Sequence, residues 1–120
     1  MGKGGGATVF LTMDPHRLSQ ERSIAYHQVI GERLLAHPEI LDMARRRVQT
    51  WLEASDPAPF YAQRWAEILA KDPASIAAFL VDRSELAYEL RSSTPFAGAL
   101  KPQERWRIFR ETTERLASLP

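Results

Sequence analysis

The sequence predicts an all-α protein: a compact single-domain bundle of five to six helices joined by short loops. Prolines mark the helix starts, because proline suits the first turn of a helix, where its missing N–H has no partner to lose. Between these prolines, apolar residues recur every three or four positions, and no segment after residue 13 alternates for long like a strand. The predicted starts are Asp14-Pro15, His37-Pro38, Asp56-Pro57, Asp72-Pro73 and Lys101-Pro102.

Length and composition bound the class of protein. One hundred and twenty residues suit one domain with a self-supporting core. The 16 basic and 15 acidic residues nearly cancel, so strong nonspecific nucleic-acid binding through net charge is not expected. The lack of cysteine excludes disulfides and thiolate metal sites. No apolar run approaches the roughly 20 residues that span a bilayer, so we expect no membrane partner, and the lack of cysteine fits a cytoplasmic protein.

The first three helices are predicted at about residues 15–36, 38–54 and 58–71. Asp14 is the expected cap of the first helix, although Ser19 is an alternative cap for its regular part. Apolar residues at helical spacing predict the buried faces of all three helices. These residues are Tyr26, Ile30 and Leu34; then Leu41, Ala44, Val48 and Trp51 or Leu52; then Tyr61, Trp65, Ile68 and Leu69.

The last three helices are predicted at about residues 73–80, 82–91 and 102–117. Asp82 and Glu85 have the spacing of a capping box and predict the start of the fifth helix. The expected buried positions again follow a spacing of three or four. They are Ile76, Phe79 and Leu80; then Leu86, Ala87 and Leu90; then Trp106, Phe109, Thr113 and Leu116.

Residues 1–13 are predicted to be a flexible leader, and residues 14–120 the helical domain. Four of the first six residues are glycine, which favours flexibility. An alternative is that translation starts at Met13, so that the leader is an extension without a function of its own. The apolar run Val9-Phe10-Leu11 leaves open a short strand or a plug packed on the domain.

Side chains with catalytic or metal-binding chemistry are not grouped in this sequence. The histidines His16, His27 and His37 lie ten or eleven residues apart, so no helix face offers a pair of imidazole ligands. Glu85 and Glu89 are one turn apart, but we interpret them as a solvated face with Arg83 and Arg91 as charge partners. No phosphate-binding glycine loop or nucleophile elbow occurs. We therefore expect no catalytic residue, no cofactor and no metal, and a protein that is not an enzyme.

Two segments raise the alternative of DNA binding. Arg45, Arg46 and Arg47 are consecutive, so they fan around a helix and are interpreted first as a solvated face. Residues 73–91 have the spacing of a degenerate helix-turn-helix. Val81 takes the position where that motif usually has glycine, and the acidic residues of the second helix would repel phosphate.

The stretch "RSSTPFAGALKPQERWRIFRE" predicts a loop over residues 92–100 followed by the last helix. Phe96 and Leu100 are expected to anchor the loop in the core, and Gly98 permits a left-handed turn. The helix carries a second apolar face, with Ile108 beside Arg105 and Thr112. That face either widens the buried stripe or is displayed to a partner, since tryptophan and arginine are enriched at interface hot spots.

This stretch, together with "RSIAYHQVIGERLLAHPEILDMARRRVQTWL", resembles a group of small uncharacterised bacterial all-helical proteins. The matching features are Arg22-Ser23, the loop from Ser93 to Gly98 and the helix start from Glu104 to Ile108. Lys101 stands where a capping serine or threonine is more usual. The resemblance implies an antitoxin-like protein encoded beside its partner, and it supplies no catalytic residue.

We therefore expect a protein–protein interaction module of antitoxin-like character that neutralises or regulates a partner protein. A DNA-binding transcriptional regulator that uses residues 73–91 is the alternative. The expected partner is another protein, with a toxin encoded nearby as one candidate, and a homodimer stays open. The predicted contact residues are Ser93, Phe96, Arg105, Trp106, Arg107 and Arg110.

Overall fold

A computed structural model describes residues 14–54 and 59–119 of the chain. Within these ranges the protein forms six α-helices and no strand, which confirms the predicted compact all-α bundle. The predicted leader (residues 1–13) and the predicted cap at Asp56-Pro57 lie outside the described residues. The helices are α1 (Pro15–Arg33), α2 (Pro38–Ala54), α3 (Phe60–Leu69), α4 (Pro73–Leu80), α5 (Glu85–Arg91) and α6 (Pro102–Ala117).

The helix starts follow the predicted chemistry at most positions. The carboxylates of Asp14 and Asp72 cap α1 and α4, accepting hydrogen bonds of 3.0 and 3.2 Å from backbone N–H groups of the first turn. The predicted capping box of α5 is wrong, because the cap is Ser84, whose hydroxyl accepts the Ala87 N–H at 3.2 Å. Lys101 precedes α6 without a side-chain cap bond, so Pro102 and the acidic Glu104 in the first turn favour that start.

Helix α1 is the central helix, because it packs along both α4 and α6, while α2 packs on α3. The approach of α1 to α4 is close at Gly31, where an added Cβ would lie 3.1 Å from the Cβ of Ala77. The core between these helices is apolar, and its members contribute most of the folding free energy through burial. Its fully buried large residues include Ile30, Leu34, Trp65, Leu69, Ile76, Leu80, Leu90 and Phe96.

Most predicted core positions are confirmed, with two clear corrections. Tyr61 is 45% exposed, and Ala62 takes the buried position of that turn of α3. Trp106 is 65% exposed, because α6 turns Ile108 and Thr112 toward the core. The most buried residues of the last helix therefore lie on the neighbouring face, and of the predicted stripe Phe109 is partly buried against the core.

Two ion pairs tie α1 to distant parts of the chain. Arg83, in the loop before α5, donates to the carboxylate of Glu21 at 2.6 and 3.1 Å, and this bond lowers the pKa of that carboxyl. Arg33 pairs with Glu104 of α6, and the guanidinium lowers the pKa of Glu104. Among the described residues, no helix has the length and apolar character needed to cross a lipid bilayer.

Candidate functional site

The loop over residues 92–100 is anchored in the core, as predicted. Phe96 is 0% exposed and Leu100 is 5% exposed. The hydroxyl of Tyr26 on α1 donates to the carbonyl of Phe96 at 2.8 Å. Gly98 adopts a φ of +80°, the left-handed conformation that its sequence position predicts. Phe96, one of the predicted partner contacts, is therefore a core residue whose ring is not available to a partner in this structure.

His27 of α1 holds the same loop through a chain of hydrogen bonds. Its Nδ1 lies 2.7 Å from the Ser23 carbonyl, which can only accept, so this nitrogen carries the proton. Its Nε2 therefore accepts from the Thr94 hydroxyl at 2.8 Å, and Thr94 Oγ1 accepts the Phe96 N–H at 3.1 Å. Burial is the main cause that lowers the pKa of His27 to about 4, so the imidazole is neutral near pH 7.

The arginine run on α2 provides further contacts to the fold. Arg47 Nη1 donates to the carbonyls of Pro95 and Ala97 at 3.0 and 2.7 Å, which fixes the outer side of the loop. Arg45 Nε donates to the Leu69 carbonyl at the end of α3. The interpretation of the run as a solvated face is therefore confirmed for Arg45 and Arg46, which are exposed, and it is wrong for the half-buried Arg47.

Ser93 is the half-buried member of the predicted contact set. Its hydroxyl donates to the Leu90 carbonyl at 3.3 Å. Ser93 and Thr94 also line an open pocket of about 440 Å³ beside Trp51 and Tyr61. The serine therefore lies at the edge of the loop, and its hydroxyl donates to the fold.

Helix α6 presents a surface that differs from the loop. Ile108 and Thr112 face the core, and the hydroxyl of Thr113 accepts from Arg22 of α1 at 2.8 Å. The opposite side carries an exposed tryptophan, 65% accessible, among exposed arginines. We call this surface the α6 outer face. Trp106 and Arg110 lie at its centre, and Arg105 and Arg107 lie at its two edges, because consecutive residues point about 100° apart on a helix.

The arginines of the α6 outer face are little engaged within the protein. Arg107 lies 3.8 Å from Glu104, whose carboxylate is already paired with Arg33. Within residues 14–54 and 59–119, Arg105 and Arg110 form no ion pair. The face therefore combines a large apolar side chain with positive charge that is available to an outside group.

The predicted helix-turn-helix corresponds to α4 and α5, with the expected burial at Ile76, Leu80, Ala87 and Leu90. Its two arginines do not pair with the glutamates of α5 as predicted. Arg83 binds Glu21, and Arg91 is only 3% exposed. The exposed side of α5 carries Glu85 and Glu89, which a phosphate backbone would repel. DNA binding therefore stays a prediction, and the second helix of the motif has no basic surface that would support it.

No group of three or more histidine and carboxylate side chains able to hold a metal occurs in the described part of the chain. His16 approaches Gln20 at 3.1 Å, and His37 approaches Glu39 at 3.1 Å, both on the surface. His16 and His37 therefore make short-range surface contacts, whereas His27 is buried and bonds to Thr94 of the loop.

A groove between α1, α5 and α6 was missed by sequence reasoning. It has a volume of about 800 Å³ and runs from Pro15 to Ser23 on one wall and from Tyr88 to Ser92 on the other. Phe109 of α6 closes one side. Linear spacing gives no signal for such a groove, because its walls come from helices about 70 residues apart in the chain.

The buried polar residues were also missed, although one carried a signal. His27 lies three residues after Ile24 and three before Ile30, so helical periodicity places it on the buried face. Arg47 and Arg91 carried no such signal, because their acceptors are backbone carbonyls of other segments.

The fold and surface define a small all-α helical bundle with one arginine- and tryptophan-bearing face. No protein-family model matches the chain, and neither the curated proteins nor the solved structures give a significant match.

Proposed function

We propose that this protein is a non-enzymatic protein–protein interaction module that binds an acidic partner protein through the α6 outer face. The observation that supports this most is the exposure of Trp106, 65% accessible, with the exposed Arg110 one helical turn away on the same side. A large aromatic side chain in water gains free energy when a partner covers it. Tryptophan and arginine are also the residue types that dominate interface hot spots.

The charge of the face determines what kind of partner fits. Arg105 and Arg110 have no ion pair within the described residues, so a facing carboxylate surface would complement them. Two copies of the face would place like charges opposite each other, which disfavours a symmetric dimer through this surface. The partner is therefore a different protein with an apolar pocket rimmed by acidic residues.

An antitoxin-like role is the specific form of this proposal. It is supported by the resemblance of the stretch from Ser93 to Ile108 to small bacterial helical proteins encoded beside a partner. In this role the protein binds the product of the adjacent gene and neutralises or regulates it. The partner's activity then falls when the α6 outer face is occupied.

The test is co-purification of the adjacent gene product with tagged protein. The wild type is compared with the double variant Trp106→Ala/Arg110→Ala and with the control Phe60→Ala/Arg46→Ala. The control also removes one exposed aromatic ring and one exposed arginine, but from α3 and α2. We expect the wild type and the control to retain the partner and the α6 variant to lose it.

Two results would count against the proposal. If the folded α6 variant retained the partner as well as the control does, the α6 outer face would not be the contact surface. If the wild type retained no adjacent gene product, the antitoxin-like form would be rejected.

A further inference from the structure

The groove between α1, α5 and α6 has the dimensions of a ligand site. Its volume of about 800 Å³ lies within the range of roughly 300–1,000 Å³ that small-molecule pockets occupy. Its walls combine apolar side chains, among them Leu18 and Phe109, with hydroxyls such as those of Ser19 and Ser23. This mixture suits an amphipathic molecule with one polar end.

Arg91, in the wall of this groove, is a buried cation whose hydrogen bonds are incomplete. Its side chain is only 3% exposed. Nη1 donates to the carbonyls of Leu80 and Asp82 at 3.1 and 2.7 Å. Nε and Nη2 are buried and have no hydrogen-bond partner. Within the described residues no carboxylate forms an ion pair with Arg91, and burial lowers the pKa of its guanidinium.

The two unpartnered nitrogens belong to one edge of the guanidinium. The N–H bonds of Nε and Nη2 point in parallel, and this fork matches the two oxygens of a carboxylate. A purely structural role accounts for Nη1, which closes the turn between α4 and α5. That role does not account for Nε and Nη2, and buried donors of a charged group are rarely left without a partner in native structures.

We propose that the groove binds a small amphipathic carboxylate, with the carboxylate on the Nε and Nη2 edge of Arg91 and the apolar body against Leu18 and Phe109. The ring of Tyr88 stacks on the Arg91 guanidinium, with its centroid 4.8 Å from Cζ of Arg91, and it also lines the groove. Because Nε and Nη2 are themselves buried, side chains of the groove wall must move before the carboxylate reaches them. The groove is separate from the α6 outer face, so this inference does not rest on the proposed function.

Octanoate and its neutral analogue octanol are the probes for this site. Each is titrated into the full-length protein, and nuclear magnetic resonance follows the Nε–Hε signal of Arg91, assigned by its loss in Arg91→Lys. We expect octanoate to shift this signal and octanol to bind at least about tenfold more weakly. Equal binding of the two probes, or octanoate binding without a shift at Arg91, would overturn the proposal.

A surface variant keeps the test valid if Arg91→Lys fails to fold. Glu89 lines the groove and is exposed, so its negative charge opposes an incoming carboxylate. We expect Glu89→Gln to bind octanoate about two- to threefold more tightly, with octanol binding unchanged. Glu85→Gln is the matched control, because Glu85 is exposed on the same helix and does not line the groove. An equal gain in octanoate affinity in both variants would show that the effect comes from net charge alone, and it would overturn the proposal.

Discussion

The loop over residues 92–100 and the α6 outer face are neighbours in sequence and opposites in structure. The loop has its aromatic ring fully buried and accepts hydrogen bonds from Tyr26 and Arg47. The helix that follows displays an exposed tryptophan among arginines. Both segments were predicted to contact a partner. The difference shows that the loop stabilises the fold, whereas the helix exposes its aromatic and basic side chains to solvent.

The largest effect is expected at the centre of the loop. Phe96→Ala removes a fully buried ring that contacts Trp65 and His27 edge-to-face, so it leaves a cavity between α1, α3 and the loop. We expect the free energy of unfolding to fall by about 3–5 kcal/mol. Urea denaturation followed by circular dichroism measures it. A loss below about 1 kcal/mol would show that the loop does not anchor the core.

The next effect is a pH dependence that originates at His27. Its pKa is about 4 in the folded protein and 6.5 when unfolded, so the unfolded state binds more protons between these values. The stability contributed by the neutral imidazole is complete above pH 6.5 and is lost as the pH falls toward 4. The total loss is about 3 kcal/mol once the pH lies below the folded pKa.

The variant His27→Gln separates this effect on stability from the effect of protonating the carboxylates. Glu21 and Glu104 have pKa values below the usual 4.5, so their contributions are lost only as the pH falls below that value. We expect the slope of unfolding free energy against pH between 6.5 and 4.5 to be clearly reduced in His27→Gln. An unchanged slope would assign the acid sensitivity to other groups.

A smaller effect is expected at the outer side of the loop. Arg47→Met keeps most of the apolar stem and removes both bonds to the Pro95 and Ala97 carbonyls. We expect a loss of about 1–2 kcal/mol, since both bonds are charge-assisted, one being partly buried and the other exposed. Arg46→Met is the control, and its exposed side chain should change stability by less than about 0.5 kcal/mol. Equal effects in the two variants would contradict the role given to Arg47.

The smallest effect on stability is expected on the α6 outer face. Trp106→Ala/Arg110→Ala alters exposed side chains that do not face the core. We expect a change within about 0.5 kcal/mol by urea denaturation. A loss above about 1 kcal/mol would mean that Trp106 packs on the bundle and that the division between loop and helix is wrong.

Local signals in the sequence predicted the architecture well. Prolines after Asp14 and Asp72 start helices where expected, because cap and first-turn chemistry involve only adjacent residues. Apolar spacing found most of the core, from Tyr26 and Ile30 to Leu90. The start of α5 was misassigned, because Asp82 and Ser84 are both good caps and spacing does not choose between them.

The candidate site was predicted only in part. In α6, two neighbouring faces both have helical spacing, and the predicted stripe carries more large apolar residues than the Ile108–Thr112 face that packs on the core. The contacts of Arg47 and Arg91 go to backbone carbonyls, whose positions depend on the tertiary fold. Residues 1–13 stay a prediction, because they lie outside the described ranges.

The most direct test of the division between loop and helix is a calorimetric titration of the purified adjacent gene product into wild-type protein and into Trp106→Ala/Arg110→Ala. We expect the double variant to bind at least about a hundredfold more weakly, because truncating hot-spot residues costs about 2 kcal/mol or more each, with no matching loss of stability. Equal affinities for the wild type and a folded double variant would contradict the account.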